Sequence, residues 1–517
     1  MLVPLTVGDF LARGVLAFPD RVAVIDEPGV AGSLGSITYR ELDARARGMA
    51  LALEKMGVSQ GERVAIVSPN SAKFMVTLFG VSGFGRVCVP VNFRLNAEEV
   101  SYIVEHSGAT VLLIDPEVEP NLAGVQCKHR IVLDGVADAE LFAPAPDGAM
   151  PAPWAADENA TASINYTSGT TARPKGVQLT HRNIWLNAVT FGWHAGVSDR
   201  DAYIHTLPMF HCNGWGMPYA LTSMGVKQVV LRKVDGEDIL SRIDEHGVSL
   251  LCGAPAVVTA ILDAGSKRRE AGTSVPGAGR GVRMVVAGAP PPTKTIERVD
   301  TELGWEFIQI YGLTETSPLL VMNRAPSEWD SLSPTERASL LGRAGMPTIG
   351  VTMSVDESGE LLARTNQVFA GYWEQPEETA KALDGGWFHT GDGGTIDEHG
   401  YVVIADRKKD VIITGGENVS SIEVEDCLFQ HPDVAEVAVI GVPHEKWGET
   451  IKALVVLREG ASPDEAALIA HCRDRMSHFK CPTSVEIRTE LARTATGKLQ
   501  KFKLRQPYWE GHDRLVN

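Results

Sequence analysis

The sequence predicts an α/β fold with mostly parallel sheets, followed by a smaller α+β unit at the C-terminal end. Three observations lead there. Helical and strand patterns alternate from the first hundred residues onward. The strands are short, continuous apolar runs of the kind buried on both faces. Composition then changes near residue 406, where a dense charge run precedes a compact final segment.

The elements follow in order. The segment 39–56 (YRELDARARGMALALEKM) sets Leu42, Ala46, Met49, Leu53 and Met56 on one helical face, and Gly57 ends it. Strand, helix, strand, helix, strand then read at 63–67 (RVAIV), 71–79, 87–91, 97–106 and 110–114. A Pro/Ala-rich stretch at 143–160 is a surface connection, after which a strand at 163–166 runs straight into a loop beginning at Thr167. Strands follow at 228–231, 248–252 and 283–286, and 265–281 (GSKRREAGTSVPGAGRG) reads as an exposed loop. The charge run 406–410 (DRKKD) lies between strands at 401–404 and 411–413. Beyond it come a helix at 421–430, strands at 434–440 and 452–457 and a helix at 464–476, a unit of roughly 110 residues with room for its own core. The boundaries drawn are therefore 1–405, a hinge at 406–409, and 410–517. No internal repeat is found.

Bulk properties narrow the function classes. A chain of 517 residues is too long for one hydrophobic core. The formal net charge of −17 argues against a nucleic-acid or anionic-membrane surface, which needs a basic footprint. Seven scattered cysteines without a CxxC pair argue against a disulfide framework or structural zinc and suit a reducing cytoplasm. No signal peptide, peroxisomal C-terminal tripeptide or run of about 18 apolar residues is read, so a cytoplasmic enzyme without a membrane span is expected.

The chemistry centres on the loop 167–176 (TSGTTARPKG). Thr167, Ser168, Thr170 and Thr171 surround Gly169, and Lys175 follows Pro174. Hydroxyls and backbone N–H groups donate to phosphate, glycine allows close approach, and lysine adds a point charge. TSGTT alone reads equally as a polar surface loop; PKG at this spacing, after an apolar strand, favours phosphate. It is not the Walker pattern, which ends Gly-Lys-[Ser/Thr].

In order along the chain, this loop is joined by LPMFHCNGW (207–215), AGAPP (287–291), QIYGLTET (309–316), GELLAR (359–364) with GYW (371–373), WFHTGD (387–392), DRKKDVIITGGENV (406–419) and TATGK (494–498). The set resembles the adenylate-forming superfamily of acyl-CoA synthetases, luciferases and non-ribosomal adenylation domains. The resemblance runs over nearly the whole chain. It implies a large N-terminal domain of α/β subdomains plus a small β subdomain, and a small mobile C-terminal domain.

The chemistry it implies is conversion of a carboxylate to a mixed anhydride with AMP, then to a thioester. Two unit charges ~4 Å apart repel by roughly 4 kcal/mol at an effective dielectric of about 20, so an anionic acid meeting ATP needs cations. By resemblance, Lys498 bridges α-phosphate and carboxylate, and Glu315 with Thr170 holds Mg²⁺. Lys175 and residues 167–171 take the phosphates, while Asp392 and Arg407 meet the ribose. Ala287, Gly288, Ala289 and Pro290 with Gln309, Ile310 and Tyr311 sandwich the adenine, Tyr311 stacking, and Gly312, Leu313 and Thr314 also bind the nucleotide. Lys409 is the pivot of the C-terminal domain, and Gly415, Gly416, Glu417 and Trp447 face coenzyme A. His211 stands where amino-acid-activating relatives carry aspartate, so the substrate lacks an α-amine. His211, Trp215, Gly288 and Gly312 are expected at the acyl pocket, with Trp215 and Tyr219 on one face of a helix starting at 214–216 and the two glycines admitting a chain.

Ala172 replaces a common glycine, 350–359 is a shortened hairpin, and serines follow Asn418-Val419 where Tyr-Pro is frequent. The reading is ligation of a medium-chain or branched fatty acid, or next an aryl acid, to coenzyme A with ATP and Mg²⁺, with a homodimer left open as the assembly. The alternatives are transfer to a carrier protein, a non-catalytic nucleotide-binding scaffold, and light emission.

Overall fold

The computed structural model describes residues 1–167, 174–277, 279, 281–288, 292–407, 410, 412–414, 417–444, 447–493 and 499–510, with backbone alone at 405–407, 413, 417, 418 and 448. Two large sheets form its body. In the seven-stranded sheet, Thr161–Thr167, Val87–Val91, Arg63–Val67, Ala109–Ile114 and His129–Val132 lie side by side and parallel. Lys175–Thr180 and Gly371–Tyr372 extend its other edge antiparallel. In the nine-stranded sheet, Glu306–Gly312, Arg283–Val286, Leu250–Gly253, Ala202–His205, Lys227–Val230 and Val22–Ile25 are parallel, with antiparallel strands at both edges. The parallel strands are the apolar runs expected from sequence, because helices cover both faces and leave few polar positions.

The helix Tyr39–Lys55 starts where a capping box fixes it: Thr38 accepts from the Glu41 N–H, and the Glu41 carboxylate accepts from the Thr38 N–H at 2.7 Å. It packs on Ala72–Ser82, a helix buried around its whole circumference. One core joins Val24 and Val230 of the larger sheet to Ile66 and Val177 of the smaller. Lys73 lies inside it, its Nζ 2.5 Å from Asp138 Oδ2 and donating to the Leu133 carbonyl at 3.2 Å.

A four-stranded antiparallel sheet (Val351–Val355, Glu360–Thr365, Phe388–Ile396, Val402–Arg407) follows. The first two strands form a tight hairpin in which Asp356 Oδ1 accepts from the Ser358 and Glu360 N–H groups. The last sheet (Ile412–Thr414, Glu417–Val419, Val434–His444, Gly448–Leu457, Ser484–Arg488) has its own core around Val439, Val455, Cys427 and Cys472. Among the described residues, no helix is long and apolar enough to cross a membrane.

One expectation changes. The stretch read as a loop from 265 is helical to Glu270, as the last turns of Pro255–Glu270. Its basic residues sit at the C-terminal end, where the helix dipole favours cations, and are paired outward: Arg268 with Glu237, Arg269 with Glu302. Of the hinge expected at 406–409, the first two residues are described. Asp406 and Arg407 pair in register with Gly393 and Asp392 and belong to the four-stranded sheet. Lys409 lies outside the described residues.

The body should lose stability in mild acid. His181 accepts the Val7 N–H at its Nδ1, His205 Nε2 lies 3.0 Å from Gln228 Oε1, and burial pushes both imidazoles down to about 4. The unfolded chain binds protons below about pH 6.5 while the native one does not until about 4, so stability falls as pH drops through that window, by up to ~3 kcal/mol per histidine. Urea melts at pH 7 and pH 4.5 should show it, and His205→Gln should flatten the slope.

Candidate active site

The strands Thr161–Thr167 and Lys175–Thr180 are antiparallel with Thr167 opposite Lys175, so both ends of the loop 168–173 are held in one register. The base is braced from the neighbouring helix. Tyr102 Oη donates to the Pro174 carbonyl (3.2 Å), His106 Nδ1 lies 2.8 Å from Tyr166 Oη, and Trp373 Nε1 donates to the His106 carbonyl (3.0 Å). Ser168, Gly169, Thr170, Thr171 and Ala172 lie outside the described residues.

From this base a chain of polar groups crosses to the larger sheet. Lys175 Nζ lies 2.5 Å from Glu378 Oε2 and 4.8 Å from the centre of the Tyr372 ring. Tyr372 Oη donates to Glu315 Oε1 at 2.9 Å. Glu315 occupies the turn Thr314–Thr316, just past the strand Glu306–Gly312, and its carbonyl accepts from the Phe369 N–H. Burial raises the Glu315 carboxyl, opposed by the Tyr372 hydrogen bond and the charge of Lys175. Burial and the neighbouring carboxylate together push the Tyr372 phenol far up, so it stays a donor. Lys175 holds the Glu378 carboxyl low. A half-buried carboxylate just past the end of a strand, joined through Tyr372 to a lysine, suits a hard divalent cation with anionic oxygens.

Beside it, Tyr311 Oη donates to Asp392 Oδ2 at 2.7 Å, joining the larger sheet to the four-stranded one. Gln309 is buried, and its Oε1 has no hydrogen-bond partner among the described residues. An orphaned buried acceptor is costly and points to an absent donor. Ile310 faces the opposite way, into the core with Leu207 and Trp215, which leaves only its backbone for a ligand. Leu313 is half-buried, and Cys212 Sγ lies 3.9 Å from the Thr314 carbonyl.

The segment after His211 corrects the sequence reading. Cys212, Asn213, Gly214, Trp215 and Gly216 have φ of 37°, 44°, 57°, 59° and 80°, a left-handed turn, and the regular helix begins only at Met217 (Met217–Ser223). Three non-glycine residues in this region cost about 1–2 kcal/mol each. Buried polar contacts hold them there. Asn213 Oδ1 accepts from Ser163 Oγ (3.2 Å), Asn213 Nδ2 donates to Tyr219 Oη (2.9 Å), and Asn187 Nδ2 donates to the Trp215 carbonyl (3.2 Å). Trp215 and Tyr219 therefore share no helical face. Trp215 packs with Leu207, Met217 and Ala287, and Tyr219 against Phe79.

The two glycines also differ. Gly288, at φ 97°, has open space where a Cβ would point. At Gly312 a Cβ would stand 1.6 Å from the Pro318 carbonyl oxygen, so that glycine serves the close approach of two strands rather than opening room for a chain.

Ala289, Pro290, Lys409, Gly415, Gly416 and Lys498, with the side chains of Arg407 and Glu417, lie outside the described residues. Trp447 is half-exposed, its N–H donating to His444 Nδ1. Tyr372 and Glu378 were not singled out from sequence. Tyr372 lies within the GYW motif, and Glu378 reaches Lys175 across 203 positions, which no local pattern announces.

Comparison with known proteins agrees with this arrangement. Residues 11–373 match the AMP-binding enzyme family and 423–498 the AMP-binding enzyme C-terminal domain. The chain is 34% identical to the 2-methylpropanoate–CoA ligase CCL4 of Humulus lupulus, over 97% of this chain and 95% of that one. It is 36% identical to 4-hydroxybutyrate–CoA ligase 2 of Metallosphaera sedula, over 96% and 93%. Its fold superposes on the anthranilate–CoA ligase AuaEII in complex with anthranoyl-AMP with a TM-score of 0.86 at 27% identity, covering 98% of each chain. ATP-bound MatB from Rhodopseudomonas palustris gives 0.83 at 29%, covering 98% and 100%. The chain belongs to the AMP-binding enzymes of the adenylate-forming superfamily and is an acid–thiol ligase.

Proposed function

We propose that the protein joins a carboxylic acid to coenzyme A through an acyl-AMP intermediate. The observation behind this reading is the chain Glu315–Tyr372–Lys175, which holds a half-buried carboxylate at the hydroxyl and a lysine over the ring face of one tyrosine. Lys175 and residues 167–171 take the triphosphate. Glu315 and Thr170 would hold Mg²⁺, which when bound neutralises part of the triphosphate charge. Tyr311 stacks on the adenine, and the orphaned Gln309 Oε1 is an acceptor for its amino group. Asp392, with Arg407, takes the ribose hydroxyls.

The substrate carboxylate attacks the α-phosphorus, pyrophosphate leaves, and Lys498 offsets the charge that accumulates between them. The C-terminal domain then turns about Lys409 and brings Gly415, Gly416 and Glu417 to the pantetheine arm, with Trp447 nearby. The thiolate attacks the acyl carbon and AMP departs.

His211, standing where amino-acid-activating relatives carry aspartate, supports an acid without an α-amine. We favour a medium-chain or branched aliphatic acid, with an aryl acid second. The relatives named for 2-methylpropanoate and anthranilate support keeping both classes.

The test is a panel of straight, branched and aromatic acids read by pyrophosphate release, with and without coenzyme A. Thioester should form only when coenzyme A is present, and Lys498→Ala should cut acid-dependent pyrophosphate release by about 10²-fold or more. Turnover that ignores coenzyme A but needs a carrier protein would favour the other acceptor. Unchanged release in Lys498→Ala would remove that lysine from the reaction.

A further inference from the structure

Lys175 is already occupied. Its Nζ is 2.5 Å from Glu378 Oε2, and its charge lies over the Tyr372 ring. Glu378 sits on a short helix, Pro376–Ala382, outside the hydroxyl-rich loop and outside the Glu315–Tyr372 pair. Its other oxygen is 3.4 Å from Lys381 Nζ. The Lys381 side chain is 79% exposed, so water screens that contact, whereas the Lys175 side chain is only 18% exposed.

An anionic group bound by Lys175 must share the ammonium with Glu378 or displace it. The carboxylate also repels any phosphate that comes close. Held by an ion pair and a ring face, the lysine is kept ordered, yet its charge is half cancelled.

We infer that Glu378 is a positioning residue that competes with the phosphates for Lys175, reclaiming the lysine as pyrophosphate departs. The inference rests on the proposed reading of Lys175 as a triphosphate ligand. It assigns Glu378 to product release: a site that held pyrophosphate with the full charge of Lys175 would release it slowly, and the carboxylate supplies an internal replacement.

The experiment compares Glu378→Gln, Lys175→Gln, the double variant and Glu377→Gln, a neighbouring exposed carboxylate that serves as a control for net charge. KM for ATP and kcat are measured with a saturating acid, together with the Ki of added pyrophosphate and thermal unfolding of each variant. Glu378→Gln should lower the KM for ATP and the Ki for pyrophosphate together, by about three- to five-fold, with the difference shrinking at high salt. Glu377→Gln should change neither, and in the Lys175→Gln background Glu378→Gln should have no further effect. A Glu378→Gln variant whose KM for ATP rises, or in which both constants stay unchanged, overturns the inference. If Lys175→Gln itself leaves the KM for ATP unchanged, the phosphate reading of Lys175 fails and the inference with it. If Lys175→Gln raises that KM while Glu378→Gln lowers neither constant, only the inference fails.

Discussion

Glu315→Gln should reduce acid-dependent pyrophosphate release by about 10²- to 10³-fold, the effect of removing one well-placed charge from a phosphoryl-transfer site. The substitution is nearly isosteric. The amide oxygen can still accept from Tyr372 Oη, and the backbone contact from Phe369 is untouched. What disappears is the negative charge, which in the folded protein is partly desolvated and therefore costly to keep. Thermal stability should accordingly stay level or rise slightly, while turnover collapses. Glu315→Ala would be a poorer probe, since it strands the Tyr372 hydroxyl at about 1–3 kcal/mol and confounds folding with catalysis. Quenched-flow pyrophosphate release set beside calorimetric unfolding separates the two. Activity within about threefold of the parent would show that Glu315 is not the residue meeting the metal–phosphate charge, against the role proposed for it.

The second large effect concerns stability alone. Lys73→Met should destabilise the protein by about 3–5 kcal/mol, the penalty for leaving a buried charge without its partner. Asp138 is sealed in the core, accepting from Lys73 Nζ at one oxygen and from the Gly135 N–H at the other. Lys73 also donates to the Leu133 carbonyl, with its ammonium 5.3 Å from the centre of the Phe142 ring. The double variant Lys73→Met/Asp138→Leu should cost less than either single change, because no ion is then stranded, though the Gly135 and Leu133 backbone groups lose their partners. Urea unfolding of the four proteins gives the cycle. The contacts of the pair are with Leu133, Gly135 and Phe142 rather than with Glu315 or Lys175, so turnover per folded molecule should not change. A double variant worse than both singles would mean that the ion pair is net stabilising rather than a paired liability.

Much of the body was legible because parallel strands covered on both faces must be apolar, and Arg63–Val67, Val87–Val91 and Arg283–Val286 sit where the apolar runs placed them. The helix Tyr39–Lys55 was legible for a local reason, its capping box and face. The motif order pointed to the family, and the structure brings Thr167, Lys175, Tyr311, Glu315 and Asp392 into one region through chains of contacts. Tertiary contacts decided the rest. Asn213 and the glycines at 214 and 216 tolerate positive φ, but nothing local to Cys212 or Trp215 favours it; the turn is held by Ser163, Tyr219 and Asn187. Gly312 read as space, but the missing side chain is claimed by a neighbouring backbone. Glu378 and Lys175 meet only after the chain has folded back on itself.

Tyr372 pairs with Val177 across a sheet edge. Lys175 opens the strand that Tyr372 borders, and Tyr372 grips Glu315, so the spacing between lysine and carboxylate is dictated by the pitch of a sheet. A ruler of this sort takes its divisions from backbone hydrogen bonds rather than from side chains, so substitutions elsewhere leave the two charges where they are unless they slip the register of Tyr372 on Val177.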